Sequence, residues 1–254
     1  MKVDAKKLVV LVTGATSGFG EAICRRFAKE GAKVIATGRR LDRLAALKKD
    51  LRASCHTAVL DVTDRAATEA LVKNLPAEFS KVSVVVANAG LALGLSPAHE
   101  ADLADWDAMV AANINGLLYT VRAFLPGMVA RDEGHVVLMG STACDFPYPG
   151  GNVYGASKAF VKQFALNLRA DLLGSNIRVT DIEPGLAETE FSLVRFKGDA
   201  AKAKAPYAGL DPLTADDIAE TVYWTCTLPR HVNVNRLQLM PVMQAFAPFA
   251  FKRK

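Results

Sequence analysis

A chain of 254 residues has room for one large α/β domain or two small ones, and with hydrophobic residues at 51% and charged residues at 22% it has the composition of a well-cored soluble protein. The net charge of +5 is spread along the chain without a basic block, which sets nucleic-acid binding aside and leaves a mild preference for anionic ligands. No apolar run reaches the ~18 residues of a membrane span, so no stable span is expected.

The start of the chain has Lys2, Lys6 and Lys7 ahead of an apolar run, Leu8–Val12. That run is short and leads into a glycine loop, so a first buried strand is expected there and not a signal peptide. The strand, Lys7–Gly14, feeds "TGATSGFGEA", Thr13–Ala22. Glycines between a strand and a helix let the backbone turn tightly and approach a pyrophosphate, and the helix N-terminus adds N–H groups and a positive dipole end. Gly14, Ala15, Thr16, Ser17, Gly18, Phe19 and Gly20 are therefore candidate cofactor contacts. The spacing is GxxxGxG, not the GxGxxG of the common dinucleotide fingerprint. A helix follows over Phe19–Gly31, with Gly31 as its C-cap.

The second strand, Lys33–Gly38, ends where a NAD enzyme would place an acid for the ribose hydroxyls. Here the chain reads Gly38, Arg39, Arg40. Two cations at a helix start oppose the macrodipole by a few tenths of a kcal/mol, so an anionic partner is expected. The 2′-phosphate of NADP fits, and NADP is favoured over NAD. A third strand, His56–Val62, closes on Asp61 and Val62, which either flank an adenine ring or, for Asp61, cap the next helix.

Further along, Val82–Gly90, Gly134–Ser141 and Asn176–Gly185 read as strands and Arg236–Val242 as a seventh. All are nearly continuously apolar, the pattern of strands buried on both faces of a parallel sheet. Helix-like segments alternate with them, without an internal repeat or linker. The expected fold is a Rossmann-like, doubly wound α/β sheet of about seven strands with helices on both faces, in one domain spanning 1–254.

Cys24, Cys55, Cys144 and Cys226 stand far apart, with no ligand-pair spacing. No metal and no disulfide framework are expected, and a reducing, cytoplasmic compartment is. His56 and His135 are isolated and read as structural.

"NVYGASKAF", Asn152–Phe160, puts Tyr154 and Lys158 on one helical face, with Cβ atoms ~5–6 Å apart. A free phenol, with a pKa near ~10, is a poor base at neutral pH. A nearby ammonium favours the phenolate, and a shift of ~2–3 units needs roughly 3–4 kcal/mol. Alone the pair means little; Ser141 at the end of a strand, Asn113 in "AANINGLLY" and the glycine loop give it context.

The set TGxxxGxG at Thr13–Gly20, ANAG at Ala87–Gly90, NxxG at Asn113–Gly116, Ser141, YxxxK at Tyr154–Lys158 and Pro184–Gly185 followed by Thr189 resembles the short-chain dehydrogenase/reductase family over nearly the whole chain. One departure is visible: Ala87 stands where the family motif has its first asparagine, while Asn88 is kept. The resemblance implies Tyr154 as acid/base, Lys158 on the nicotinamide ribose, Ser141 on the substrate oxygen and Asn113 holding a water that links Lys158 to solvent. It also implies that Asn88, Ala89, Gly90, Pro184, Gly185, Leu186, Ala187 and Thr189 contact the cofactor. Segments such as "GLALGLSPAHEADLADW" and "FSLVRFKGD" resemble the NADP-dependent 3-hydroxy acid dehydrogenase branch. That branch implies serine, allo-threonine or 3-hydroxypropionate as substrate, Asn152 at the substrate and a cytoplasmic homotetramer.

A carbonyl or 3-oxoacyl reductase on the same fold is the rival enzyme reading. A dinucleotide-sensing module is the non-catalytic one, and it should lack one of the reactive groups, all of which are present here. A 3-hydroxy acid needs a cation beside the catalytic tyrosine. Arg195, in the segment after Pro184–Gly185, is the candidate, with pairing to Asp199 as the alternative. The apolar tail "PVMQAFAPFAFKRK" is read as cover for a subunit interface, ahead of a membrane-surface contact.

Overall fold

The computed structural model describes residues 2–246. The elements run β1 (Val9–Thr13), α1 (Gly18–Lys29), β2 (Lys33–Gly38), α2 (Leu41–Leu51), β3 (Cys55–Val59), α3 (Arg65–Asn74) and β4 (Val84–Ala87). After them come α4 (Leu103–Val110), α5 (Leu117–Arg131), β5 (Gly134–Met139), α6 (Asn152–Asp171), β6 (Ile177–Pro184), α7 (Phe191–Arg195), α8 (Ala200–Lys204), α9 (Ala215–Thr227) and β7 (Arg236–Leu239).

The seven strands form one sheet in the order β3-β2-β1-β4-β5-β6-β7, and every pairing is parallel. Every residue of β1, β4, β5 and β6 is buried, because helices cover both faces. One face packs Ile23, Phe27, Leu44, Ile218 and Val222 of α1, α2 and α9; the other packs Leu71, Val121, Phe124, Val161 and Leu168 of α3, α5 and α6. The chain winds outward from β1 to β3, then returns to the other side of β1 as β4. At that reversal the connections leaving β1 and β4 diverge, which opens a crevice beyond their C-terminal ends.

The third, fourth and seventh strands stop three residues earlier than the apolar pattern suggests. The third ends at Val59 and not Val62, because the Asp61 carboxylate accepts from the backbone N–H and the hydroxyl of Thr63 at 3.0 and 2.8 Å and turns the chain. The fourth ends at Ala87 and not Gly90, because Thr13 Oγ1 captures the N–H groups of Asn88 and Ala89 at 3.1 and 3.0 Å.

Leu103–Arg131 is one continuous helical stretch of 29 residues, long and apolar enough to cross a membrane by length and composition. Leu117, Val121, Phe124 and Met128 are buried in the sheet-facing core, which makes it a core helix. Residues 111–116 within it widen into a π-helical turn, a local distortion that often marks a functional site. Most of the C-terminal tail, from residue 247 on, lies outside the described residues.

Candidate active site

The glycine loop is a cradle that side chains would fill. Gly14 and Gly18 have φ of +68° and +52°, conformations that L side chains rarely adopt. A Cβ at Gly20 would lie 2.3 Å from the Gly14 carbonyl oxygen. Asn88 Nδ2 donates to the carbonyls of Thr13 and Gly14 at 2.8 and 3.4 Å, so the retained asparagine of ANAG fixes the loop's first turn. Ala87 is buried within β4 and makes no side-chain hydrogen bond of its own. Ser17 opens α1 without a side-chain cap, leaving the helix N-terminus open to a ligand. Thr189 stands against Gly18, where a Cβ would meet it at 3.3 Å. Ala15 and Thr16 are buried in the same loop, and Phe19 packs at the rim of the core.

At the end of β2, a side chain on Gly38 would place its Cβ 2.7 Å from Thr16 Cγ2. The position where a NAD enzyme carries its acid is thus sterically closed, a second reason for the missing carboxylate. The two arginines are not equivalent. Arg40 donates to Thr16 Oγ1 and carbonyl at 3.2 and 3.1 Å and to Glu190 at 2.9 Å, with Arg43 on the same carboxylate at 3.4 Å. Arg39 is 70% exposed and only loosely paired, 3.8 Å from Asp61. Arg39 is therefore the freer cation. Arg39→Ala is expected to weaken NADP binding roughly ten- to a hundredfold, from a charge-assisted contact of ~1.5–3 kcal/mol, and to leave NAD affinity nearly unchanged. Fluorescence titration with each cofactor measures this; equal losses for both would remove Arg39 from the phosphate site.

Asp61 and Val62 follow the C-terminal end of β3. Burial raises the Asp61 carboxyl, but the two Thr63 bonds and then Arg39 outweigh it and hold it low. Asp61 does not cap α3; Asp64 does, accepting from Ala67 N at 2.9 Å. Val62 fills the gap over Gly116, where a Cβ would lie 2.6 Å from its Cγ2, which accounts for the glycine of NxxG.

The reactive groups converge where β4, β5 and β6 end. Lys158 is buried and its Nζ donates to the Met139 carbonyl at 2.7 Å. It lies 5.7 Å from the Tyr154 ring centroid. Asn113 Oδ1 accepts from Leu91 N, and its Nδ2 donates to Leu91 O and Ser157 Oγ, at 2.8, 2.8 and 3.0 Å. Its side chain thus braces the loop after Gly90 and the helix that carries Lys158. A Cβ at Gly90 would sit 3.0 Å from Asn113 Oδ1 and 3.7 Å from Lys158 Nζ, so the bare backbone there keeps the cleft open. Ser141 Oγ accepts from Ala143 N at 3.1 Å and lies 3.5 Å from the Pro184 carbonyl.

The electrostatics correct one expectation. Tyr154 is not lowered by Lys158. Burial pushes the phenol up to about 12; the Ser141 hydroxyl and Arg195 pull the other way without prevailing. Lys158 is itself brought down to about 8 by burial, against the field of Asp181. The chain alone therefore holds Tyr154 as the neutral phenol, the form that donates a proton.

On α7, in the segment after β6 that we call the lid, Arg195 turns inward. Its guanidinium carbon lies 5.0 Å from the Tyr154 ring centroid and 5.4 Å from that of Phe191. Arg195 Nη2 donates to Tyr148 Oη at 2.8 Å, while Nε is buried without a partner. No acid pairs with Arg195 among the described residues; Asp199 pairs with Lys202 at 3.4 Å and Asp105 with Lys197 at 2.9 Å. Asn152, expected at the substrate, spends its amide on the Ser96 carbonyl at 3.1 Å and its oxygen on Val153 N at 2.7 Å. It holds the loop beside the cleft.

Sequence spacing gave no sign of Tyr148, Glu190 or Gln244. Gln244 Oε1 accepts from Leu186 N at 2.8 Å and fills the space beside Gly185, bracing the segment through Pro184, Gly185, Leu186 and Ala187. The Ala187 carbonyl accepts from Tyr207 at 3.0 Å. These partners are many residues apart in the chain and meet only through the fold.

A glycine cradle at the sheet's reversal point, opposite a half-buried tyrosine, a buried lysine and a serine, defines a dinucleotide-dependent oxidoreductase. The chain belongs to the short-chain dehydrogenase family, whose model matches residues 8–199. It is 58% identical over 247 residues to NADP-dependent 3-hydroxy acid dehydrogenase YdfG of Salmonella typhi, covering 97% of this chain and 100% of that one. It is 51% identical over 245 residues to a serine 3-dehydrogenase of Agrobacterium fabrum, covering 96% and 98%. Among solved structures it superposes with a TM-score of 0.96 on the closed form of a serine dehydrogenase complexed with NADP+, at 56% identity over 97% of this chain and 100% of the other.

Proposed function

We infer that this chain is an NADP-dependent oxidoreductase that interconverts a 3-hydroxy acid of the serine, allo-threonine or 3-hydroxypropionate type and its 3-oxo acid. The observation that carries the substrate class is Arg195: an inward cation beside Tyr154, with a buried nitrogen that has no partner among the described residues. A buried unpaired donor is costly, and a substrate carboxylate would satisfy it in the bidentate geometry arginine favours. The names of the relatives point to the same class.

In this reading the residues of the glycine cradle hold the pyrophosphate, Arg39 and Arg40 the 2′-phosphate, and Asn88, Ala89, Gly90 and the 184–189 segment the nicotinamide half. NADP, when bound, supplies the hydride acceptor and its reduced form the donor. Tyr154 exchanges the proton of the substrate oxygen: as the phenol it gives the proton during reduction, and as the phenolate it takes it during oxidation. Ser141 Oγ, with its lone pair and proton near the Tyr154 hydroxyl, orients that oxygen. Lys158 offsets charge on the phenolate, and Asn113 keeps the Lys158 helix and the Gly90 loop in register. Phe191, 5.7 Å from Tyr154 between ring centroids, excludes water from the same side.

A carbonyl or 3-oxoacyl reductase would leave Arg195 without a charge to meet. Initial rates with NADPH should be high for malonic semialdehyde and lower by at least tenfold for uncharged aldehydes and 3-oxoacyl thioesters, the loss of a charge-assisted contact. Faster turnover of the thioester would put the rival reading in its place.

We propose a cytoplasmic homotetramer on the same grounds of family resemblance. Three of the cysteines, Cys24, Cys55 and Cys226, are buried and free, which suits a reducing compartment. A groove of about 790 Å³ among α3, α5 and α6, lined by Val72, Leu118, Tyr119, Leu125, Phe164 and Leu168, is a face that a second copy would cover.

A further inference from the structure

Asp181, in β6, has no exposed surface, and among the described residues neither carboxylate oxygen accepts a hydrogen bond, while the Glu183 carboxylate lies beside it. A buried carboxyl without a donor is expensive, and an apolar side chain of the same shape would be easier to hold there. The surroundings are nevertheless shaped around it. A Cβ on Gly140 would lie 2.4 Å from Asp181 Oδ1, so only glycine leaves room for the carboxyl. Gly140 directly follows Met139, whose carbonyl accepts from Lys158 Nζ at 2.7 Å. In register, Asp181 pairs with Leu138 on β5, a residue of the core face that α6 covers.

A cation is available to neutralise it and is used elsewhere. Arg236 is the register partner of Asp181 on β7, yet its guanidinium binds Glu183 at 2.7 and 2.8 Å and also Asp145. Lys162 of α6 takes the other oxygen of Asp145 at 2.5 Å. Cys144 stands beside these acids and is held as a thiol, pushed up to about 12 by burial and by Glu183. On α6 the group acting on Asp181 is Lys158, a cation whose Nζ bonds a neutral carbonyl and no carboxylate.

We propose that Asp181 is a positioning residue for the reaction: a sealed carboxyl that, once ionised, acts across the Met139–Gly140 backbone to keep Lys158 in its ammonium form as the pH rises. The inference rests on the reading that Tyr154 and Lys158 carry the chemistry. The electrostatics agree in direction. Burial drives Lys158 down, and Asp181 leads the charges that oppose this. Burial and Glu183 drive Asp181 up to about 8, with Lys158 first among the charges that oppose it. Each group therefore bears on the charge of the other.

Two measurements test this. In Asp181→Asn, kcat/KM for oxidation should lose its alkaline limb earlier, by about one pH unit, because Lys158 without its counter-charge deprotonates sooner. A purely packing role would lower thermal stability and leave the limb in place, and an unmoved limb in the folded variant overturns the proposal. The second measurement needs no activity. Infrared difference spectra of the unsubstituted protein should show a protonated carboxyl that ionises near pH 8 and is missing from Asp181→Asn. In Lys158→Met that ionisation should move to higher pH, since the opposing cation is gone. No such carboxyl band, or one that titrates identically with and without Lys158, also overturns it. Because the infrared arm reads the Asp181–Lys158 interaction directly, it separates failure of this inference from failure of the catalytic reading, which Tyr154→Phe tests.

Discussion

Tyr154→Phe is expected to fold, to bind NADP as tightly as the parent and to lose ~10²–10⁴-fold in kcat, the usual worth of a general acid–base group. The substitution removes one oxygen. The ring keeps its neighbours, Phe191 at 5.7 Å and the Arg195 guanidinium at 5.0 Å, so packing changes little. What disappears is the Tyr154 hydroxyl, which burial keeps protonated across the whole neutral range. The pH dependence carries a second signature. Oxidation requires the phenolate and the Lys158 ammonium beside it, so its rate should climb with pH as the raised phenol ionises and fall again once Lys158 loses its proton. Reduction requires the phenol and should stay level until high pH. The variant should show neither limb. Retention of more than a tenth of the parent kcat would assign the proton to another group.

Arg195→Leu should raise KM for serine or 3-hydroxypropionate at least tenfold, with a charge-assisted contact of ~1.5–3 kcal/mol removed. The effect on an uncharged alcohol of similar size should be small. Leucine keeps apolar contact with Phe191 and Tyr148 but leaves the carboxylate without a donor. Arg195 also donates to Tyr148 at 2.8 Å, and its backbone carbonyl accepts from Gly94 N at 2.9 Å. The backbone bond survives the substitution, so the lid should stay anchored to the 94 loop. Equal losses on charged and uncharged substrates would show that Arg195 shapes the lid and does not read the acid.

The sheet was readable because its strands are buried on both faces, which leaves continuous Val- and Ile-rich runs with no period to confuse. The second strand matches its expected bounds, Lys33–Gly38. Two of the strand ends that shifted did so through single side chains, Thr13 capturing two N–H groups and Asp61 turning the chain, neither of which has a periodic signal. The π-helical turn at Asn113 was equally silent, since its residues read as ordinary helix formers. Tyr154 and Lys158 were legible from a spacing of four on one helix. Their electrostatics were not: spacing shows the ammonium near the phenol but not the depth of burial, and burial decides the direction of the shift at Tyr154. Glu190, which ties Arg40 and Arg43 to the lid, and Asp181 behind Gly140 are tertiary neighbours that no local pattern announces.

The central claim is that this cleft passes a hydride between NADP and a 3-hydroxy acid. The most direct measurement is initial-rate absorbance with serine and 3-hydroxypropionate, run in parallel with NADP and NAD on the unsubstituted protein. The account predicts turnover of both acids, with kcat/KM for NADP above that for NAD by at least tenfold, as a charge-assisted phosphate contact would give. Preference for NAD, or no reduction of either cofactor by the acids while a neutral alcohol is oxidised, would contradict it.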